Sequence, residues 1–434
     1  MSERDQLAGL FLTSAKNTAV SWLLVGVLAV NLLGGVHFGR YESILFSAVA
    51  IVIILAPAAV FRDPTIVPPW YFIGLICLPV LWETFAPQPL ITAIVPNLVL
   101  ATLGLLIAVE LHRFTSLRLI PWFAVLLTVL FTLAMAGLLN LLRWSADILF
   151  ETTFLLDGRS QDAINGAVMI EFMYATIAGL LGGTIFYGYF RYVTSNPHPR
   201  MSVPTISPEN PPDVKGILLS NRLGISPVRQ LQLVRLMQAF LVVVLGYGVW
   251  TLELPIVTNA VIALAITFIP AAMKRDLKLA VDPGLALWVT SAVFLHAIGT
   301  AGLYDAFGPW DHLTHTLSAT VVGAAGYATL RAIHIHDPAI HLPRWALFAF
   351  TVVFVLAMGV IWEILEFMID QGALMLDMEP VLAQHGIDDT MLDMLFNTLG
   401  AIIVATWGTV YLTTIAASLA AQLENRFGTG KMDQ

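Results

Sequence analysis

Charged residues and cysteines are scarce in this chain of 434 residues. Asp, Glu, Lys and Arg make up 12% of it and 58% is hydrophobic, whereas soluble globular domains carry about 25% charged residues. This deficit excludes an ordinary soluble protein and indicates a protein that crosses a membrane several times. The single cysteine, Cys77, excludes an internal disulfide.

Several catalytic motifs are absent as well. The chain contains no HExxH zinc motif, no glycine-rich phosphate loop and no serine-nucleophile motif. Its N-terminus, MSERDQLAGLFLTSAK, has mixed charge and lacks the pattern of a cleaved signal peptide, so we expect none. The common hydrolase and nucleotide-binding motifs are thereby excluded, and any functional site must be recognised from spacing.

Apolar stretches of about 20 residues mark transmembrane helices. Such stretches follow one another along the chain, with a segment rich in Pro, Ser and Asn after the sixth. We predict an all-α polytopic membrane protein with about twelve transmembrane helices. The predicted spans are 18–37, 42–61, 68–86, 89–111, 119–142, 163–190, 231–251, 255–273, 284–303, 311–333, 344–369 and 390–418.

The two halves of the chain are similar in sequence. ILAPAAVFRD (54–63) resembles TFIPAAMKRD (267–276), and PWFAVLLTVLFTLAMAG (121–137) resembles PRWALFAFTVVFVLAMG (343–359). The nearly constant spacing of the matches favours a tandem duplication, and hence two parallel six-helix repeats, over chance similarity of apolar segments. We predict a degenerate first repeat at 1–192, a cytoplasmic Pro-rich linker at 193–228 and a second repeat at 229–434.

Basic residues determine the predicted orientation, because Lys and Arg concentrate in cytoplasmic loops. With the N-terminus inside, all of the 21 basic residues except Arg40, Arg143 and Arg159 fall at inner ends and inner loops. We therefore expect a multi-pass protein of the plasma or inner membrane with both termini in the cytoplasm.

Three of the last spans carry polar residues that membranes normally exclude. Within each span these residues are three, four or seven positions apart, which places them on one helical face. At about 1.5 Å per residue, the buried members lie roughly 6–12 Å from the outer end of their spans. We therefore expect three groups to meet: Asp311, His312, His315 and Ser318; Glu363, Glu366 and Asp370; and Asp389, Asp393 and Asn397.

Many carboxylates at one depth require protons or a cation. Histidines and carboxylates at helical spacing are typical of transition-metal sites in helical cores. We predict one or two divalent ions, with zinc, manganese and iron all compatible. The predicted ligands are Asp311, His312, His315, Glu363, Glu366, Asp389 and Asp393.

Other residues of these three groups, each of which forms a polar stripe along one helical face, are assigned supporting roles. Ser318, Asn397 and Asp370 are expected to orient the ligands or the substrate. Glu363 and Asp393 are the candidate general bases, because a carboxylate that does not bind the ion can accept a proton from water.

Simpler interpretations stay open for part of this set. Asp311, Asp388 and Asp389 stand at helix starts, where Asp commonly caps the N-terminus. The aromatic residues of LYDAFGPW (303–310) are typical of a membrane interface, and the alternative is an amphipathic mouth for a lipid-like substrate.

The first half serves as an internal comparison. When its LAM segment is aligned with that of the second half, Asn140 stands where Glu363 does, and Asp147 matches Asp370. Gly166 stands opposite Asp393. The first half thus lacks the ligand set, and we expect only one complete site.

At YDAFGPWDHLTHTLSA, WEILEF and DDTMLDMLFNTLG the chain resembles a family of prokaryotic membrane proteins, a domain of unknown function that includes the bacterial inner-membrane protein YjdF. The resemblance covers the second half only. It implies a polytopic membrane protein and brings neither an assigned activity nor residue roles.

Three functions remain open on this basis. The first is a metal-dependent hydrolase acting on a lipid-like or outer-leaflet substrate, with a metal-bound water as nucleophile. The second is a secondary transporter for an ion or small solute, since parallel repeats are also a transporter plan. The third is a non-catalytic membrane scaffold or sensor. We expect the lipid bilayer and a lipid-like or small-molecule substrate as partners, and no nucleic acid.

Overall fold

The computed structural model describes residues 15–39, 41–85, 89–117, 119–194, 225–276, 281, 283–337, 340–378, 380, 382, 384–412 and 416. Within these residues every regular element is helical, which confirms the predicted all-α class. The first-half helices are α1 (Ala15–Phe38), α2 (Tyr41–Phe61), α3 (Trp70–Phe85), α4 (Pro89–Phe114), α5 (Pro121–Phe150) and α6 (Gln161–Thr194). The second-half helices are α7 (Pro227–Thr251), α8 (Leu254–Thr267), α9 (Ile269–Asp276), α10 (Pro283–Ile298), α11 (Tyr304–Ala306), α12 (Pro309–His336), α13 (Arg344–Met375) and α14 (Gly386–Tyr411). A π-helical turn, Gly299–Leu303, connects α10 to α11.

Proline determines where several helices start. α4, α5, α7, α10 and α12 each begin at a proline. Proline suits the first helical position, because the N–H it lacks has no partner there and its fixed φ is already helical. At α7 the preceding Ser226 completes the start, since its hydroxyl accepts the N–H of Arg229 at 3.4 Å.

Most of the long helices in the described residues have the length and apolarity of membrane spans. Large apolar side chains cover their outer surfaces, with Trp250 82% and Leu149 72% exposed, as expected of helices that face lipid. In the described part of the chain nine helices meet the requirement for crossing a membrane. They are Asn17–Phe38, Asn97–Phe114, Pro121–Phe150, Gln161–Gly188, Pro227–Thr251, Leu254–Asp276, Pro283–Ala306, Arg344–Met375 and Gly386–Trp407.

Three predicted spans fall outside these nine, for different reasons. In span 42–61 the side chains are described without a break only over Phe46–Phe61. Helix α3, at predicted span 68–86, has 16 residues. Helix α12 is long enough, but its polar stripe lowers its hydropathy. The count of twelve spans and the repeat architecture therefore stay predictions, as do the proposed domain boundaries.

The chain divides into two compact units. The first comprises residues 1–136, 170–206 and 339–343. In it Phe123 and Phe172 are fully buried, and Gly182 lies against Ala101, where a Cβ would come within 3.1 Å of the alanine methyl. Small residues thus let the helices of this unit approach closely.

The second unit contains the candidate site and comprises residues 137–169, 207–338 and 344–434. It includes the helical hairpin formed by the end of α5 and the start of α6 together with the described second half. Leu241, Ala263 and Ala297 form a buried cluster between α7, α8 and α10. Ala319, Val355 and Ala401 form a second one between α12, α13 and α14.

Candidate functional site

Three of the predicted ligands meet in the second unit. Asp311 and His315 lie one turn apart on α12, and Asp393 faces them from α14. One ligand atom from each of the three lies within 4.8 Å of the other two, and in the described part of the chain no other group of acids, histidines or cysteines does so. The structure thereby joins the α12 and α14 stripes that the sequence placed at one depth.

The separations between these atoms discriminate between two kinds of contact. His315 Nε2 lies 3.5 Å from Asp311 Oδ1 and 3.4 Å from Asp393 Oδ1. These distances exceed the roughly 2.7–3.2 Å of an N–H···O hydrogen bond. Ligand atoms at about 2.0–2.1 Å from a tetrahedral ion lie roughly 3.3–3.4 Å from one another, so these two separations are also those of a candidate ligand group, whereas Asp311 and Asp393 are within hydrogen-bonding reach of each other.

Two further buried carboxylates, on α13, lie near these three residues. Glu363 on α13 is 0% exposed and Glu366, one turn later, is 8% exposed. Asp393 is 4% exposed, and its Oδ1 atom and Glu363 Oε1 are buried without a hydrogen-bond partner among the described residues. Unpaired acceptors at such depth are costly. The surroundings therefore favour a cation or shared protons, and Asp311 and Asp393 are also within hydrogen-bonding reach of each other.

His312 and Asp389, two other predicted ligands, have their own contacts. The His312 ring stacks on Phe396, with centroids 4.3 Å apart, and its Nδ1 atom is buried with no hydrogen-bond partner among the residues that the structure describes. Asp389 accepts the backbone N–H of His385 at 3.0 Å, as a residue near a helix start commonly does. Their role as ligands, like that of Glu363 and Glu366, stays a prediction.

The three expected supporting residues differ in their surroundings. Asn397 is 8% exposed and lies within hydrogen-bonding reach of the His315 side chain. Asp370 instead fixes a loop, since its carboxylate accepts the N–H groups of Leu382 and Gln384 at 2.8 and 3.0 Å. Ser318, on α12, is partly buried, and its supporting role stays a prediction.

Asp388, expected to cap α14, joins that helix to the first-half hairpin. Its carboxylate accepts Trp144 Nε1 at 2.7 Å and Gln161 Nε2 at 2.9 Å. Its backbone N–H donates to Gln161 Oε1 at 3.0 Å. The start of α14 is thereby fixed against α5 and α6.

A relay of amide side chains reaches Glu363 from the same hairpin. Asn165 Nδ2 donates to Gln384 Oε1 at 2.8 Å, and Gln384 Nε2 donates to Glu363 Oε2 at 3.0 Å. Asn165 Oδ1 accepts the Thr390 hydroxyl at 3.1 Å. Asn165 and Gln384 were not predicted, because the bonds of Asn165 to Gln384 and Thr390 join positions more than 200 residues apart.

Tyr304, interpreted from the sequence as an interfacial aromatic residue, lies in a second polar chain. Its hydroxyl is 2.6 Å from His296 Nδ1 and 3.3 Å from Thr314 Oγ1. His296 Nε2 in turn lies 3.3 Å from Asn259 Oδ1. Sequence reasoning passed over His296 because it stands alone in the apolar stretch of α10.

Comparison with known proteins gives family matches and no assigned activity. Residues 232–414 match a family described as "Predicted membrane protein (DUF2238)", and residues 5–67 match one described as "Domain of unknown function (DUF8268)". An "Uncharacterized protein" of Thermotoga maritima is 34% identical over 123 residues. That stretch is 27% of this chain and 58% of the relative, so less than two thirds of the relative is covered. No solved structure matches.

Proposed function

We propose that the polar residues inside the second half of the chain, which matches a family described as predicted membrane proteins over residues 232–414, form a divalent-metal centre with Asp311, His315 and Asp393 as ligands. The observation that carries the proposal is the spacing of 3.4 and 3.5 Å around His315 Nε2, next to the unpaired Oδ1 of Asp393. Three protein ligands leave a fourth position of a tetrahedral ion open, as in catalytic zinc sites.

The reaction we propose is metal-assisted hydrolysis of a lipid-like substrate. An ion held by these three residues would polarise a water molecule or a substrate oxygen bound at its fourth position. Of the two predicted bases, Asp393 is taken up as a ligand, and Glu363 stays as a proton-transfer group. The position of the centre among membrane-spanning helices favours a substrate that enters from the bilayer, on the outer side if the predicted orientation holds.

The test is the metal content of the purified protein, measured by mass spectrometry after passage over a chelating resin and reconstitution with Zn²⁺. We expect about one ion per chain, lost in Asp393→Asn and His315→Ala. Asp377→Asn is the matched control, because Asp377 is an exposed acid in the loop after α13 and its variant keeps the ion.

Hydrolysis is measured on 4-nitrophenyl phosphate and on a fluorescent phospholipid in mixed micelles. Zinc-dependent turnover that Asp393→Asn abolishes is the expected result. Folded wild-type protein that binds no Zn²⁺, Mn²⁺ or Fe²⁺ would overturn the centre and leave a proton shared by Asp311 and Asp393 as the explanation of their contact. Stoichiometric metal with flux of a solute into proteoliposomes and no hydrolysis would favour the transporter.

A further inference from the structure

A hydrogen-bonded chain of three side chains lies beside the candidate centre and takes no part in the proposed ligand set. It runs from Asn259 on α8 through His296 on α10 to Tyr304 at the start of α11. The distances are 3.3 Å from Asn259 Oδ1 to His296 Nε2 and 2.6 Å from His296 Nδ1 to the Tyr304 hydroxyl. Asn259 is 6% exposed, so the Asn259 end of this hydrogen-bonded chain is closed to water.

The positions of the protons in this hydrogen-bonded chain follow from its acceptor atoms. Asn259 Nδ2 donates to the carbonyl oxygen of Pro255 at 3.0 Å, which directs Asn259 Oδ1 at the histidine. An amide oxygen only accepts, so in neutral His296 the proton is on Nε2. Nδ1 is then an acceptor, and the Tyr304 hydroxyl donates to it. The tyrosine oxygen keeps its lone pairs for a donor on the other side.

The backbone between His296 and Tyr304 is shaped to bring the two rings together. The π-helical turn Gly299–Leu303 interrupts the helix, and Gly302 has φ +126°, which favours glycine. A Cβ on Gly299 would come within 2.5 Å of the Tyr304 ring. π turns inside helices occur frequently at functional sites.

The tyrosine end of the chain faces the candidate centre. Its hydroxyl lies 3.3 Å from Thr314 Oγ1, and the Thr314 hydroxyl donates to the backbone oxygen of Asp311 at 2.8 Å. Tyr304 is also close enough to interact electrostatically with Asp311, Asp393 and Glu366, which come from three different helices. The same hydroxyl thus connects a buried histidine to the surroundings of the ligands.

We propose that Tyr304 and His296 form a proton relay for the centre, in which Tyr304 contacts the attacking water and His296 receives its proton. The inference rests on the proposed hydrolysis. As the water oxygen bonds to the phosphorus or carbonyl carbon of the substrate, its proton passes to the Tyr304 oxygen and the Tyr304 proton passes to His296 Nδ1. The bond to the leaving oxygen breaks, and that oxygen takes a proton from Glu363. Exchange with solvent returns the proton from His296 to Glu363, so that one water is consumed.

Two substitutions separate proton transfer from simple positioning. Tyr304→Phe removes the relay and keeps the ring. His296→Gln offers an amide oxygen to the Tyr304 hydroxyl and cannot take its proton. We expect both variants to retain the metal stoichiometry of the wild type, because neither residue is a proposed ligand. Removing general-base catalysis lowers rates about 10²–10⁴-fold, so both variants should hydrolyse 4-nitrophenyl phosphate at least about 100-fold more slowly.

The second readout does not need turnover. In protein loaded with Co²⁺, the visible spectrum changes when the cobalt-bound water loses its proton. The pH at the midpoint of that change should rise in Tyr304→Phe and His296→Gln. Tyr327→Phe, a buried tyrosine of α12 with other partners, is the matched control and should behave as wild type.

The outcomes distinguish the two proposals. Wild-type protein without metal overturns the proposed function and this inference together. Metal-loaded wild type without hydrolysis overturns the proposed reaction and with it the relay, while the metal centre stands. Wild-type rates and midpoints in both variants would overturn the relay while the metal centre stands. A slow Tyr304→Phe with a normal His296→Gln would also overturn it, since His296 would then only position the tyrosine.

Discussion

The buried carboxylate of Glu363 owes its position to a residue of the other half of the chain. Asn165, 4% exposed, holds Gln384, and Gln384 holds one oxygen of Glu363. The remaining oxygen, Oε1, is left without a partner among the described residues. The first half, which lacks the ligand set, therefore still takes part in shaping the site.

Replacing Asn165 tests this dependence. Asn165→Leu removes this partner from the amide oxygen of Gln384, which is partly buried, and from the buried Thr390 hydroxyl, and each unsatisfied buried group costs about 1–3 kcal/mol. We expect a free energy of unfolding lower by about 2–4 kcal/mol in detergent, measured by denaturant titration of the helical circular-dichroism signal.

The control is Gln161→Leu, in the same hairpin. Gln161 is exposed and bonds to Asp388 at the surface, so its loss should cost less than about 1 kcal/mol. Equal stability of the two variants would show that the relay through Asn165 adds nothing to the folded state.

At this scale the sequence identified the residues of the stripes and missed their partners. Asp311, His315 and Asp393 were predicted because acids and histidines in apolar helices are rare and helical spacing shows which share a face. Gln384 lies in a loop and His296 is a single polar residue in an apolar helix. Their roles depend on contacts between distant segments, and the spacing of residues along the chain does not predict those contacts.

At the scale of helices, the two elements that supply the ligands touch through a glycine. Gly400 on α14 lies against α12, where a Cβ would come within 2.5 Å of the Thr316 backbone oxygen and 2.7 Å of the Ala319 Cβ. Backbone atoms cannot move aside as a flexible side chain can. The close approach of α12 and α14, and with it the joining of Asp311 and His315 to Asp393, therefore requires glycine at this position.

Gly400→Val should separate the two helices. Overpacking of this kind costs about 1–3 kcal/mol, and the displacement acts on the ligand atoms, so we expect a lower melting temperature together with weaker Zn²⁺ binding in a competition titration with a chelator. Gly372→Val is the control, because a Cβ there meets nothing within 4 Å. Unchanged Zn²⁺ affinity in a destabilised Gly400→Val would contradict the link between this contact and the centre.

The sequence predicted helices correctly where a long apolar run determines the helix. It failed where the local backbone conformation interrupts a helix. The long run at 344–369 lies in α13, and the part of the run 390–418 up to Tyr411 lies in α14. The predicted span 284–303 continues straight to its end, whereas the structure ends α10 at Ile298 and inserts the π turn. A π turn has no hydropathy signal, and the glycines that permit it are also common in ordinary transmembrane helices.

At the scale of the whole molecule, matched positions of the two halves behave alike. Asp147, which the alignment places opposite Asp370, accepts the N–H groups of Phe154, Leu155 and Leu156 in the loop that follows its helix. Asp370 does the same for its own loop. Gln161 and Asp388, aligned with each other, are joined by reciprocal hydrogen bonds. Contacts between equivalent positions are expected near a two-fold axis. The repeats and their parallel arrangement stay predictions.

The predicted parallel repeats and the distribution of basic residues together predict on which side of the membrane four exposed or terminal acids lie. Asp157 and Asp377, exposed in the two loops that Asp147 and Asp370 fix, should both face the outside. Asp63 and Asp276, which end the matched PAA segments, should both face the cytoplasm. Single cysteines at these positions, in a Cys77→Ser background, are probed with a membrane-impermeant maleimide on intact cells.

We expect labelling of Asp157→Cys and Asp377→Cys in intact cells, and of Asp63→Cys and Asp276→Cys only after permeabilisation. Labelling of Asp63→Cys but not Asp276→Cys would indicate inverted repeats, since an inverted pair places matched positions on opposite sides. Complete reversal of the pattern would keep the parallel repeats and overturn the orientation. It would place the centre formed by α12 and α14 toward the cytoplasm, and any substrate would then have to come from the inner leaflet.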